Sequence, residues 1–273
     1  MQWRGLWFGL KRGYRDNAPS RKVRDADPVW LSDTHRSQLL CFVHVPKAAG
    51  TSLKNVLFRV YGRGFVANRR LADNPPETVT PEQAKDILAI GGHLPYGFHR
   101  RFGPQANGAD AAGLFAGREL IYVSVVRNPV DRLLSLCRFV RTFPPHPLHQ
   151  QAKHMTSAQF FDHLVETGNK AILGNQQCSL LTGGQPDRAI EYADNRFFAV
   201  STTAGIAAMV DALGERLDWP EVEIENKNVS PRSLTDESDR RTAEALCDQF
   251  CKGDIALFEH VQAKPSGLFV KDG

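Results

Sequence analysis

No stretch of this chain approaches the roughly 18–20 consecutive apolar residues that a membrane-crossing helix needs, which excludes a helical integral membrane protein. Cysteine is scarce and odd in number, with five residues at 41, 137, 178, 247 and 251. That is no framework for a small disulfide-stapled domain. Cys41 and Cys137 fall in apolar patterns and read as core hydrophobes. Cys247 and Cys251, four apart in a helical segment, lack the companions a zinc site requires. The N-terminus shows neither a long apolar core nor a small-residue cleavage site, so no secretory signal is expected and the chain is assigned to a reducing cytoplasm. Charge of one sign is nearly balanced too: a net +4 suits anionic small ligands but is too weak to imply nucleic acid. Internal repeats and low-complexity tracts are absent.

What is present is a globular composition, 42% apolar and 23% charged over 273 residues, enough to bury a sizeable core. Residues 1–37 mix Trp3, Leu6, Trp7, Phe8 and Leu10 with Arg4, Lys11, Arg12, Arg15, Arg21 and Lys22. They read as a basic extension, amphipathic enough for a weak contact with a membrane surface. Residues 38–262 form the domain and 263–273 a tail. Leu39–Val45 is an apolar run that halts at Pro46, a buried strand, and Leu53, Val56, Leu57 and Val60 then predict a helix over 51–61. Residues 63–80 read as loop. Thr80-Pro81-Glu82-Gln83 carries a capping box and opens a short helix, and Gly91–Gly97 reads as a tight glycine-rich turn. A second strand, Leu120–Val126, precedes Asn128-Pro129, a cap and first turn for the apolar face of Val130, Leu133, Leu134, Cys137 and Val140. Helices follow over 157–166, 172–182, 204–217 and 236–261, with a third strand at Phe197–Ser201. Strands alternating with helices imply an α/β fold with a mainly parallel sheet, and ligands at its C-terminal edge.

Pro46-Lys47-Ala48-Ala49-Gly50-Thr51-Ser52 follows the first strand and opens a helix. A helix N-terminus offers unpaired amides and partial positive charge, Lys47 adds a full charge, Gly50 allows close backbone approach, and Thr51 and Ser52 add hydroxyl donors. The combination suits a phosphate. It is not a Walker loop, since the first glycine is missing and the lysine precedes the glycine. Nor does an acidic strand end follow, because Val126 is succeeded by Arg127. A small-molecule kinase on a related fold should carry both features. Arg127 ends the second strand, and Ser135 lies two helical turns further on, a guanidinium and a hydroxyl for a second anion.

Taken together, His44-Val45-Pro46-Lys47-Ala48-Ala49-Gly50-Thr51-Ser52-Leu53 resembles the 5′-phosphosulfate loop of the sulfotransferases. Val126-Arg127-Asn128-Pro129-Val130-Asp131-Arg132-Leu133-Leu134-Ser135 resembles their 3′-phosphate motif. The likeness runs in blocks over 39–262 and is nearest to the heparan sulfate 2-O-sulfotransferase-like enzymes and their bacterial relatives. It implies a P-loop-like three-layer fold. It also implies 3′-phosphoadenosine 5′-phosphosulfate as donor, a carbohydrate-type hydroxyl as acceptor, and no metal. Lys47 and the Ala49–Ser52 amides would stabilise charge on the leaving oxygen. His93 is the candidate base, matching the second histidine of the family's H-G-H loop, whose first position is Gly91 here. His99, Arg100, Asn175 and Gln176 are candidates for the acceptor side. Lys227, Ser230 and Arg232, in a segment resembling the family's late nucleotide-covering loop, are candidates for the 3′-phosphate side. His44 reads as buried and structural, and His146, His149 and His154 as part of a variable loop rather than a metal site. A non-catalytic nucleotide-binding protein is the alternative of a different class.

Overall fold

A computed structural model describes residues 20–27, 33–67, 79–102, 113–222, 224 and 237–271. Six strands form one sheet: β1 (Gln38–Val43), β2 (Phe65–Ala67), β3 (Ala89–Gly92), β4 (Glu119–Val126), β5 (Ala199–Thr202) and β6 (Leu268–Val270), in the order β2-β3-β1-β4-β5-β6. All neighbours are parallel except β5 and β6. The main helices are α1 (Gly50–Tyr61), α2 (Pro81–Lys85), α3 (Pro129–Thr142), α4 (Ser157–Glu166), α5 (Gln176–Thr182), α6 (Ala189–Arg196), α7 (Ile206–Leu217), α8 (Glu237–Phe250) and α9 (Lys252–Gln262). This is the expected α/β architecture, a mainly parallel sheet with helices on both faces.

The central strands are buried on both faces, which is why they read as unbroken apolar runs rather than alternating ones. Leu39, Cys41 and Val43 join Tyr122 and Val126 against Leu181, Ala193 and Leu257 of α5, α6 and α9. Leu40 and Phe42 join Ile121, Val123 and Val125 against Leu53 and Leu57 of α1 and Met209 and Leu213 of α7. A third cluster packs Leu133 and Val140 of α3 on Phe160 and Phe161 of α4 and Cys247 of α8. All five cysteines are buried and free. Among the described residues no helix is long and apolar enough to cross a membrane.

Several boundaries differ from the sequence expectation, each for a physical reason. Gly91 and Gly92, expected to open a turn, instead end β3 (Ala89–Gly92), a strand between β1 and β2. Gly91 fits there because a Cβ would lie only 3.1 Å from both Phe42 and Phe65. The segment read as loop from residue 63 contains β2, which follows a 3₁₀ turn at Gly62–Gly64 and is too short to show a period. The helix expected over 172–182 breaks at Asn175, whose φ is +45°. The closing helical region breaks between α8 and α9 at Cys251 (φ −114°, ψ 21°). The expected tail contributes β6, paired antiparallel with β5. The Thr80 capping box is present, with Gln83 N donating to Thr80 Oγ1 at 3.3 Å and Thr80 N to Gln83 Oε1 at 2.9 Å.

After β1 the chain moves to one side, to β2 and β3, and then crosses to β4 on the other. The direction of winding reverses around β1, and the crevice beyond the C-terminal ends of its neighbours is where ligands of such sheets bind. Three loops leave the sheet there: residues 44–49 after β1, 93–97 after β3, and 127–128 after β4.

Candidate active site

The loop after β1 is strained. Lys47 and Ala49 both have left-handed φ, at +68° and +54°. Ala49 is the N-cap of α1 and supplies no side-chain cap. Ser52 N reaches Ala49 O at 3.0 Å, but the amides of Gly50 and Thr51 meet no acceptor among the described residues. Left-handed residues interleaved in a turn bring successive N–H groups to one side, the geometry of an anion nest.

The Lys47 side chain is half-buried, with its ammonium 4.1 Å from the centroid of the Phe139 ring. Burial, then the nearby Arg127 and Arg138 guanidinium groups, push its pKa down to about 8. Arg127 is held below the usual guanidinium range by burial, an effect that Arg138 adds to and Asp131 opposes. Cations gathered closely enough to depress one another's protonation suit a polyanion. Arg127 Nη1 also donates to the Lys47 carbonyl at 3.1 Å, so the two motif segments are physically tied.

Gln177 fixes the Arg127 backbone. It is fully buried. Its Oε1 accepts from Arg127 N and its Nε2 donates to Arg127 O, both at 2.9 Å. Gln177 sits at the start of α5, where the buried carboxylate of Asp254 accepts from Gln177 N at 3.2 Å and Cys178 N at 2.9 Å. A carboxylate at a helix N-terminus is a stable arrangement. A continuous chain of hydrogen bonds thus runs from α9 through α5 to Arg127 and on to the phosphate loop.

On α3, Asn128 Oδ1 accepts from Asp131 N at 3.2 Å and Pro129 occupies the first turn. Ser135, half-buried, shares a helix face with Arg138 and Phe139, three and four residues on.

His93 follows β3 and is half-buried. Its Nδ1 lies 2.9 Å from His44 O. A carbonyl only accepts, so Nδ1 carries a proton and donates, and in the neutral ring Nε2 is then the basic nitrogen. His44, expected inside a strand, instead lies just past the end of β1 with its ring 4.3 Å from that of His93.

Pro46, Lys47, Ala48, Ala49, Gly50, Thr51, Ser52, His93, Arg127 and Ser135 therefore lie on the elements that meet at one sheet edge. The acceptor-side candidates are not joined to them. His99 is buried, with Nδ1 2.5 Å from the Tyr122 hydroxyl, and burial pushes its pKa down to about 4. Gln176 is fully buried and accepts from the buried Arg132 Nη1 at 2.6 Å. Asn175, half-buried, accepts from Asp254 N at 3.1 Å. Each bonds a buried partner that the sequence pattern could not pair with it. Arg100 is exposed. Lys227, Ser230 and Arg232 lie outside the described residues. His146 Nδ1 accepts from Leu148 N at 3.1 Å, and His149 Nδ1 bonds Val140 O at 2.9 Å, both serving the local loop. Sequence reasoning passed over Phe139 and the role of Gln177. The first could have been found one turn beyond Ser135, the second as a polar residue in an apolar helix.

Comparison with curated proteins finds no match to this chain. A family model described as Sulfotransferase family matches residues 30–201, more than half of the chain and the whole span from β1 past His93 and Arg127 to β5. A phosphate loop without a Walker glycine, joined to a strand-end arginine, falls inside that match, and the chain belongs to the sulfotransferase family.

Proposed function

We propose that this protein transfers a sulfuryl group from 3′-phosphoadenosine 5′-phosphosulfate to a hydroxyl of a carbohydrate-type acceptor. No metal has a role in this reading, and the enzyme works in the cytoplasm, in the manner of the heparan sulfate 2-O-sulfotransferase-like branch of its family. The observation that carries the reading is the Arg127 Nη1 bond to the Lys47 carbonyl, which makes two anion-binding segments one unit. A donor with phosphate at both ends needs two clamps at a fixed separation. The donor set fits such a ligand: amides of Gly50 and Thr51 that meet no acceptor among the described residues, and a lysine whose nearest charged neighbours are arginines.

In this reading Pro46–Ser52 binds the 5′ side, and Arg127 with Ser135 the 3′-phosphate. Lys227, Ser230 and Arg232 close over the 3′ side. The acceptor oxygen forms its bond to sulfur as the bond from sulfur to the 5′-phosphate oxygen breaks, and the acceptor proton passes to His93 Nε2. Lys47 and the loop amides stabilise the charge left on the 5′-phosphate. Arg100 remains as a surface residue for the acceptor.

Calorimetry with 3′,5′-bisphosphate adenosine alongside ATP-Mg tests the donor. Binding of the bisphosphate is expected, and binding of ATP-Mg alone would sink the reading. His93→Ala should keep bisphosphate affinity while losing transfer by about 10²–10⁴-fold.

A further inference from the structure

The His44 ring is wedged between two parts of the site. On one side the His93 ring lies 4.3 Å away, tilted by 34°. On the other is Gly50, the first residue of α1: a Cβ built there would lie 2.0 Å from His44 Cδ2 and 2.1 Å from its Nε2. The ring therefore rests directly on the glycine. Phe42 stacks on it at 5.2 Å and 14°, which sets its plane. The same residue's carbonyl accepts from His93 Nδ1.

We propose that His44 is a positioning residue: its ring spaces His93 from the phosphate loop and holds the His93 plane, while its carbonyl selects the His93 tautomer. The bond to the His44 carbonyl anchors one nitrogen of the His93 imidazole, and a flat partner on the ring face limits how far the ring can turn. This also reassigns Gly50, which the sequence suggested as room for an anion: the missing side chain makes room for the His44 ring. Burial, then His93, Lys54 and Lys47, hold the His44 imidazole well below its usual protonation range. When His93 takes up the acceptor proton, the ring beside it is uncharged and offers a π face to the new cation. Such positioning matters because a shift of about 1 Å in a reacting group can cost 10²-fold in rate. The inference rests on His93 acting as the base in sulfuryl transfer, but its structural content can be tested without turnover.

The test uses the full chain labelled with ¹⁵N-histidine, with the His93 ring observed through long-range ¹H–¹⁵N spectra. Wild type should show one tautomer, with two well-separated nitrogen resonances and Nδ1 protonated. His44→Ala should draw the two resonances toward each other as His93 gains rotational freedom. Gly50→Ala should disturb the same signals by forcing the His44 ring aside. In the His44→Ala/Gly50→Ala double variant the added methyl should have no further effect, because the ring it would strike is gone. If His44→Ala fails to fold, Gly50→Ala decides alone. A His93 spectrum unchanged from wild type in either single variant overturns the proposal. Failure of the sulfuryl-transfer reading would appear elsewhere, as absent bisphosphate binding by the wild-type protein.

Discussion

The two helices at the proposed anion clamps start in opposite ways. α3 closes its own N-terminus, with Asn128 accepting from Asp131 N and Pro129 placed where no N–H is lost. α1 opens on Ala49, which has no capping side chain and a left-handed backbone, and Lys47 before it is left-handed as well. Left-handed conformations cost non-glycine residues roughly 1–2 kcal/mol each, and no cap within α1 offsets that. A helix end that serves only structure satisfies its amides from within. One held open and strained, at the switch point of a parallel sheet, has amides to offer a ligand. The bond from Arg127 to the Lys47 carbonyl lets the well-built end brace the strained one.

Cutting that brace should have the largest effect. Arg127→Ala removes a cation from the clamp and releases the Lys47 carbonyl. Bisphosphate affinity is expected to fall by roughly 10²-fold or more, since charge-assisted hydrogen bonds contribute about 1.5–3 kcal/mol each. Calorimetry measures it, and wild-type affinity would show that Arg127 only buttresses the loop. Gln177→Leu sharpens the comparison more gently. It leaves the guanidinium in place but removes both bonds to its backbone, so the preference for adenosine 3′,5′-bisphosphate over adenosine 5′-monophosphate should drop by about tenfold, the equivalent of one net hydrogen bond to a charged group. Equal losses for both nucleotides would instead indicate general unfolding of the site.

The contrast between the clamps also shows what the sequence made legible. The Asn128-Pro129 cap, the Thr80 capping box, the apolar central strands and the phosphate loop are local patterns, and local chemistry builds them. β2 and β6 were missed because three residues carry no period. The end of β3 reads as a turn because of its two glycines, of which Gly91 is there for close packing against Phe42 and Phe65. The partners of His99, Asn175 and Gln176, which are Tyr122, Asp254 and Arg132, are brought to them only by the fold, and no local pattern pairs them. The pairing of His44 with His93 joins residues just past the ends of two adjacent strands and is invisible until β3 is known to lie beside β1.

Acidity offers a third way to probe the strained clamp. Lys47 has its pKa lowered to about 8 from 10.5. A bound anion favours the charged amine, so the free protein binds without a protonation cost below pH 8. Between about 8 and 10.5 it must take up a proton to bind. Bisphosphate affinity should therefore be flat below that range and fall up to about tenfold per pH unit above pH 8. Phosphate monoesters, with a second pKa of about 6, are already ionised there and do not obscure the effect. Calorimetry at pH 9 in buffers of different ionisation enthalpy should report net proton uptake. Affinity that is constant from pH 7 to pH 9.5 would rule out contact between Lys47 and the bound phosphate.

The smallest effects bear most directly on the comparison itself. Asn128→Ala opens the closed helix end and should cost about 1 kcal/mol of stability, while bisphosphate affinity is expected to stay near wild type because the Arg127 guanidinium and the Ser135 hydroxyl are kept. Ala49→Gly relaxes the left-handed N-cap of α1. Relief of roughly 1–2 kcal/mol is offset in part or in full by the extra entropy glycine has in the unfolded chain, about 0.5–1 kcal/mol, so the net gain is roughly 0–1.5 kcal/mol. Its affinity should fall slightly, because a glycine holds the nest less firmly. Denaturant unfolding and calorimetry on the same samples separate the two quantities. If Asn128→Ala weakened binding and Ala49→Gly did not, the division between a closed structural end and an open binding end would be reversed. Strain in the loop would then be incidental to anion binding rather than part of it.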